Sequence, residues 1–208
     1  MNATHQPEQD NVDAAWATLH TPLSTPELTQ FCRDIERLFR INPMLNVRHW
    51  RRLHANRYFF AGRNISQSTP FDFELVLTVQ PLPNGLQIEY DQGVKSRTTF
   101  TIDPVCDSSG SRSRLTITDY YDGLPESERI QHLHRVDKSI SVWAHDLQHY
   151  LISWYRWSNN RLWRWYMQRI WQPMTPMGRR ITVILLWVTA FELALVLLGA
   201  AIYYLDYA

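Results

Sequence analysis

SVWAHDLQHYLISWYRW, residues 141–157, decides how this chain folds. Ile140, Trp143, Ala144, Leu147, Leu151 and Trp154 recur at steps of three and four. That spacing gathers them into one apolar stripe on a helix, predicted to begin near Asp137. His145 and His149 project almost opposite the stripe. A single apolar stripe needs an apolar surface to lie on, and the chain upstream supplies one.

Upstream, apolar residues alternate with a period of two. Phe71, Phe73, Leu75, Leu77 and Val79 alternate with Asp72, Glu74, Thr78 and Gln80, the pattern of a half-buried strand. Pro81-Leu82-Pro83-Asn84-Gly85 carries an Asn-Gly hairpin signal, and Leu86, Ile88 and Tyr90 resume the alternation. Leu45, Val47 and Leu53 share a parity on an earlier strand, and residues 57–66 form another. Residues 96–103 and 114–121 make two more, separated by a polar loop over 107–113. Short strands joined by hairpins imply an antiparallel sheet of about six strands. Before the sheet, Leu28, Phe31, Cys32, Ile35, Leu38 and Phe39 predict one amphipathic helix. Ser24-Thr25-Pro26-Glu27 opens it, with Thr25 or Ser24 as the cap, and Asn42-Pro43 ends it. Residues 1–15 read as a flexible tail.

Helix, antiparallel sheet and long C-terminal helix together resemble the START/Bet v 1-like superfamily, also called SRPBCC or polyketide cyclase-like. The likeness covers residues 16–158. It is carried locally by FCRDIERLFRINP in the first helical region and by SVWAHDLQHYLISWYRW in the last. It implies an α+β helix-grip fold, with a curved sheet around the long helix and an apolar cavity between them. It also implies a hydrophobic ligand such as a lipid, isoprenoid or polycyclic molecule. Some members are cyclases, and others serve as interaction modules.

The expected cavity wall is Phe73, Leu75, Leu77, Phe100 and Ile117 from the sheet, with Trp143, Leu147 and Leu151 from the helix. Three polar residues share inward parity: His49 and Arg51 on one strand, and Asp119 on another. An Arg51–Asp119 pair would orient a ligand in an otherwise apolar cavity. The sequence offers no nucleophile–base pair, glycine-rich phosphate loop or acid/base dyad, so no catalytic residue is assigned and no cofactor is implied. His145 and His149 stand at metal-ligand spacing, but no third ligand completes a motif, and they read as a solvated face. His132 and His134 fall in an expected loop. Cys32 and Cys106 have no CxxC or Cys/His context.

Downstream, Trp157, Trp163, Trp165, Tyr166 and Trp171 are interleaved with Arg161, Arg164 and Arg169. Arranged all round a helix axis, such residues suit a lipid headgroup layer. Residues 159–180 thus read as an interfacial helix and linker, with Pro173, Pro176 and Gly178 expected to break the path. Residues 181–205, ITVILLWVTAFELALVLLGAAIYYL, hold one ionisable side chain, Glu192, and predict a transmembrane anchor. Arg179 and Arg180 flank it at the interface. Basic residues without acids between Asp146 and Glu192 place the large N-terminal domain in the cytoplasm. An ionisable group at mid-membrane suggests a partner transmembrane helix at Glu192. The N-terminus lacks the pattern of a signal peptide. The formal net charge of +1 argues against a general nucleic-acid binder.

The first reading is therefore a membrane-tethered protein that binds or transfers a hydrophobic ligand. The second is a non-catalytic assembly subunit of a membrane complex. A cyclase-like enzyme comes third.

Overall fold

The computed structural model describes residues 14–67, 69–93, 95–107, 110–121 and 126–207, with side chains omitted at 106–107, 110–111, 126–138 and 206–207. Strand β1 (Ala14–Thr21) comes first, followed by helices α1 (Thr25–Cys32) and α2 (Ile35–Ile41). Six strands follow: β2 (Leu45–Arg52), β3 (Arg57–Asn64), β4 (Phe71–Leu82), β5 (Gly85–Tyr90), β6 (Arg97–Asp107) and β7 (Gly110–Tyr120). Helix α3 (Glu126–Trp157) leads to α4 (Arg161–Tyr166), a π-helical turn (Met167–Trp171) and α5 (Pro176–Tyr207).

All strands join one antiparallel sheet of order β1-β7-β6-β5-β4-β3-β2. Sequence neighbours β1 and β2 thus lie at opposite edges, and α1 and α2 span the distance between them. Helix α3 packs its stripe against the sheet, with Ile140, Trp143, Leu147 and Leu151 buried. A seven-stranded antiparallel sheet gripping a long C-terminal helix is the α+β helix-grip architecture.

Register fixes which side chains meet the helix, because paired residues share a face. Tyr58, Leu77 and Tyr90 align across β3, β4 and β5, while Phe100, Ile117 and Ala17 align across β6, β7 and β1. The β4–β5 hairpin turns tightly at Gly85, where φ is 157° and a Cβ would stand 1.8 Å from the Phe100 carbonyl oxygen. Only glycine tolerates that approach.

Several elements differ from the sequence expectation. The sheet has seven strands, because β1 begins at Ala14 inside the expected tail. Ala15 and Leu19 face the core while Trp16, the one large aromatic of β1, points outward at 69% exposure. The expected loop over 107–113 is mostly strand, since β6 and β7 pair as far as Asp107 and Gly110. The single N-terminal helix is two helices. Ser24 caps α1, with the Glu27 carboxylate accepting from its backbone N (2.8 Å) and Oγ (2.7 Å). Asp34 then caps α2, accepting from the Arg37 backbone N at 3.1 Å. Helix α3 starts at Glu126 and includes positions 132 and 134. Helix α5 starts at Pro176, ahead of the expected span. Thr175 Oγ1 accepts from Gly178 N at 3.1 Å, and proline suits the first helical position.

Candidate functional site

The end of α2 organises the site. A helix leaves its last carbonyls without intrahelical partners. In α2 these are taken up by three different parts of the chain. Trp143 Nε1 of α3 donates to Leu38 O at 3.1 Å. Asn42 N donates to Phe39 O at 3.2 Å. Arg179 Nη1, from the first turn of α5, donates to Arg40 O at 2.7 Å. Gripping helix, cavity and α5 therefore meet at one helix terminus.

A cavity of about 220 Å³ opens beside this junction, between α2, α3 and the β3–β5 half of the sheet. Its apolar wall is Phe39, Phe60, Phe73, Leu75 and Trp143. Phe60 lies 5.0 Å from Phe39 and 4.8 Å from Phe73, and Trp143 lies 5.7 Å from Phe39. Aromatic pairs at such separations contribute about 0.5–1.5 kcal/mol each beyond their burial, so this wall is rigid as well as apolar. The rim carries exposed Phe71, at the start of β4, and Gln92 and Gly93, from the connection that follows β5.

Polar side chains line the cavity as well, among them Asn42, Asn64, Ser66 and Ser139, and one polar group is built on a buried carboxylate. In that group Tyr90, Lys95 and Tyr121 line the cavity. Behind them lies Asp119, fully buried. Its Oδ2 pairs with Lys95 Nζ and stands 3.5 Å from the Tyr121 hydroxyl. Its Oδ1 accepts from Thr98 Oγ1 at 2.5 Å, and Thr98 in turn bonds the Tyr90 hydroxyl at 2.8 Å. Burial, reinforced by the Asp119 charge, pushes the Tyr90 phenol far above its ordinary value, so it stays neutral.

Phe73, Leu75 and Trp143 thus line the cavity. Leu77, Phe100, Ile117, Leu147 and Leu151 are buried in the solid core beneath it. The expected Arg51–Asp119 pair does not form. The β2–β3 register shifts between Val47 and His49, leaving Arg48 as an extra residue. A bulge of this kind reverses parity along the strand. Leu45 and Val47 face inward before it, and Trp50 does so after it, 5.3 Å from Phe60. His49 and Arg51 consequently face outward and are exposed. Lys95 is the partner that Asp119 takes instead. Thr98 was missed, although its parity with Phe100 and Ile102 would have found it, whereas the loop position of Lys95 gave no signal.

The Trp/Arg segment is two-sided. Trp157, Leu162 and Trp165 are exposed, as are Arg161, Arg164, Arg169 and Arg180. Trp163 and Trp171 turn inward, 5.7 Å from Trp154 and 5.3 Å from Tyr150, and Met167 between them is buried. Arg179 is a correction to the expected headgroup contact, since it is 8% exposed. Besides Arg40 O, its guanidinium donates to Trp171 O (3.0 Å) and Gln172 O (3.0 Å), and it stacks 3.9 Å over the Trp171 ring. A planar five-donor cation fits three converging carbonyls where an ammonium would not.

Helix α5 is long and apolar enough over Pro176–Leu205 to cross a membrane. No part of it beyond its first turns packs on the domain, and Glu192 is exposed. His145 and His149 lie exposed with ring centroids 4.5 Å apart. Among the described residues, no group of three His, Cys, Asp or Glu converges.

No protein-family model matches the chain, and no curated protein does. Solved structures with similar folds include a protein of Thermus thermophilus at 14% identity, covering 66% of this chain and 96% of that one, with a TM-score of 0.44. Ara h 8.0201 is 13% identical over 68% of this chain and 99% of its own, at a TM-score of 0.40. The human StarD13 (DLC2) lipid transfer and protein localization domain is 13% identical over 66% of this chain and 78% of its own, also at 0.40.

Proposed function

We propose that this chain binds a hydrophobic small molecule or lipid at a membrane to which α5 tethers it. The observation that carries the reading is the aromatic-walled cavity with a polar group built on buried Asp119, set beside the base of a membrane-length apolar helix. Pockets built mainly of apolar side chains with a few convergent polar groups are the usual form of small-molecule sites. The exposed Trp157, Leu162 and Trp165 with Arg161 and Arg164 support contact with headgroups near the anchor. The arginine-rich, acid-free approach to α5 supports a cytoplasmic domain. Protease added to intact cells should then spare the domain and trim a tag placed after Ala208.

Native mass spectrometry of the full chain tests the binding reading. A non-covalent adduct, lost when Leu75 is enlarged to Trp, is the expected result. A chain that carries no adduct and takes up none from lipid extracts would overturn it.

Glu192 favours a second reading, an assembly subunit. A carboxyl exposed on a helix in lipid is costly and seeks a donor on another helix. A stoichiometric membrane partner lost in Glu192→Leu would support that role.

A further inference from the structure

The polar group built on Asp119 has a hydrogen-bonding sense, and that sense selects a class of ligand head. The Thr98 hydroxyl has one proton, which it gives to Asp119 Oδ1. The 2.8 Å bond between Tyr90 and Thr98 must therefore run from the Tyr90 hydroxyl. Tyr90 Oη has spent its proton and keeps lone pairs, so it can only accept from a ligand. Lys95 Nζ is its counterpart. One of its protons is on Asp119 Oδ2, and its other protons remain for donation. An acceptor, held to Asp119 Oδ1 through Thr98, and a donor, held to Oδ2 directly, thus both line the cavity.

Charge narrows the choice further. Asp119 already neutralises Lys95, so a carboxylate head would bring a second anion towards a carboxylate that is fully buried. A cationic head would meet Lys95 directly. A bare hydrocarbon would leave Tyr90 Oη and the cavity-facing side of Lys95, whose side chain is 32% exposed, without a polar partner in the cavity. An ether or ester oxygen would satisfy Lys95 and leave Tyr90 without a donor. A hydroxyl both accepts and donates, and it is neutral.

We propose that Tyr90 and Lys95, organised by Asp119 and Thr98, form the recognition site for an aliphatic or isoprenoid alcohol. This rests on the ligand-binding reading above and names its substrate class. The cavity corresponds to about seven water volumes. It thus takes a short-chain alcohol whole, or the hydroxyl end of a longer one whose tail leaves by the rim at Phe71 and Gln92.

Isothermal titration calorimetry of the full chain in nanodiscs provides the test, corrected by titration of protein-free nanodiscs. The probes are 1-octanol, its isomer heptyl methyl ether, and octanoate. Octanol should bind about tenfold more tightly than the ether, as expected for one lost hydrogen bond in a buried site, and more tightly than octanoate. Tyr90→Phe should erase the octanol–ether difference and leave the ether affinity unchanged. Equal binding of all three probes, or tightest binding of octanoate, would overturn the alcohol site while leaving hydrophobic-ligand binding intact. Binding of none of them would overturn both.

Discussion

Two adjacent arginines show how far residue identity falls short of residue role. Arg179 and Arg180 read alike in sequence, both flanking an apolar span, yet Arg179 is buried against three carbonyls while Arg180 is exposed. Arg179→Met leaves buried carbonyls unpaired and should destabilise the domain by about 1–3 kcal/mol. Arg180→Met should stay within about 0.5 kcal/mol. Thermal unfolding followed by near-UV circular dichroism distinguishes them, and equal shifts would refute the assignment. The same limit applies to His49 and Arg51. Their parity was legible, but one extra residue at the bulge turned both outward. Burial also sets an alkaline limit. The Cys32 thiol is pushed up from 9.0 to about 12, and the Tyr90 phenol is raised as well. The unfolded chain loses these protons first, so the folded state holds more of them. The stability linked to Cys32 is therefore whole below about pH 9 and declines between about 9 and 12. Cys32→Ala should shallow that decline even if it lowers stability at neutral pH. An unchanged slope in an alkaline denaturation series would show that Cys32 takes no part.

At the scale of elements, the sequence was legible wherever one face was apolar and the other charged. Strand β4 and the second half of α3 show this: most of their inward residues follow the pattern, though buried Tyr150 was missed and Phe71 is exposed. Strand β1 was not foreseen, because alanine is a weak strand former and its one large aromatic, Trp16, points outward. The break between α1 and α2 lies within a continuous helical pattern, and Asp34 is its only local signal. The polar group built on Asp119 was half legible. Asp119 and Thr98 follow strand parity, whereas Lys95 reaches in from a loop. The Trp/Arg segment was misread as uniform, because tryptophans that pack inward and outward look alike in composition. Their division makes a separable prediction. Trp157→Ala and Trp165→Ala should weaken binding of the chain truncated after Gln172 to anionic vesicles, with little effect on its melting temperature. Trp163→Ala and Trp171→Ala should lower the melting temperature, since each ring packs on the domain. Vesicle binding should fall as salt rises, because screening weakens the arginine contribution. A sedimentation assay in which all four variants bind alike would remove the exposed face from the interface.

Across the whole molecule, α2 joins the cavity to the start of α5 within a few residues. Arg40 receives Arg179, while Phe39 and Asn42 line the cavity. The rim therefore stands at a fixed offset from the start of α5 instead of swinging on a flexible linker. On the proposed function, this arrangement would take up a molecule from one side of a bilayer into the open cavity. Leu75 decides whether the cavity is open. It sits on the inner face of β4 opposite Phe60, at the cavity wall, two residues from fully buried Leu77. In a filled core, enlarging leucine to tryptophan forces strained rotamers and costs about 1–3 kcal/mol. Leu77→Trp should show that cost. Leu75→Trp should not, because its ring can grow into the cavity, and binding of an environment-sensitive lipid probe should disappear with the space. Comparing the two variants cancels the general effect of adding a tryptophan to β4. If both lose the same melting temperature, and the unaltered chain binds no probe, the cavity is closed in solution and the assembly role at Glu192 becomes the stronger reading.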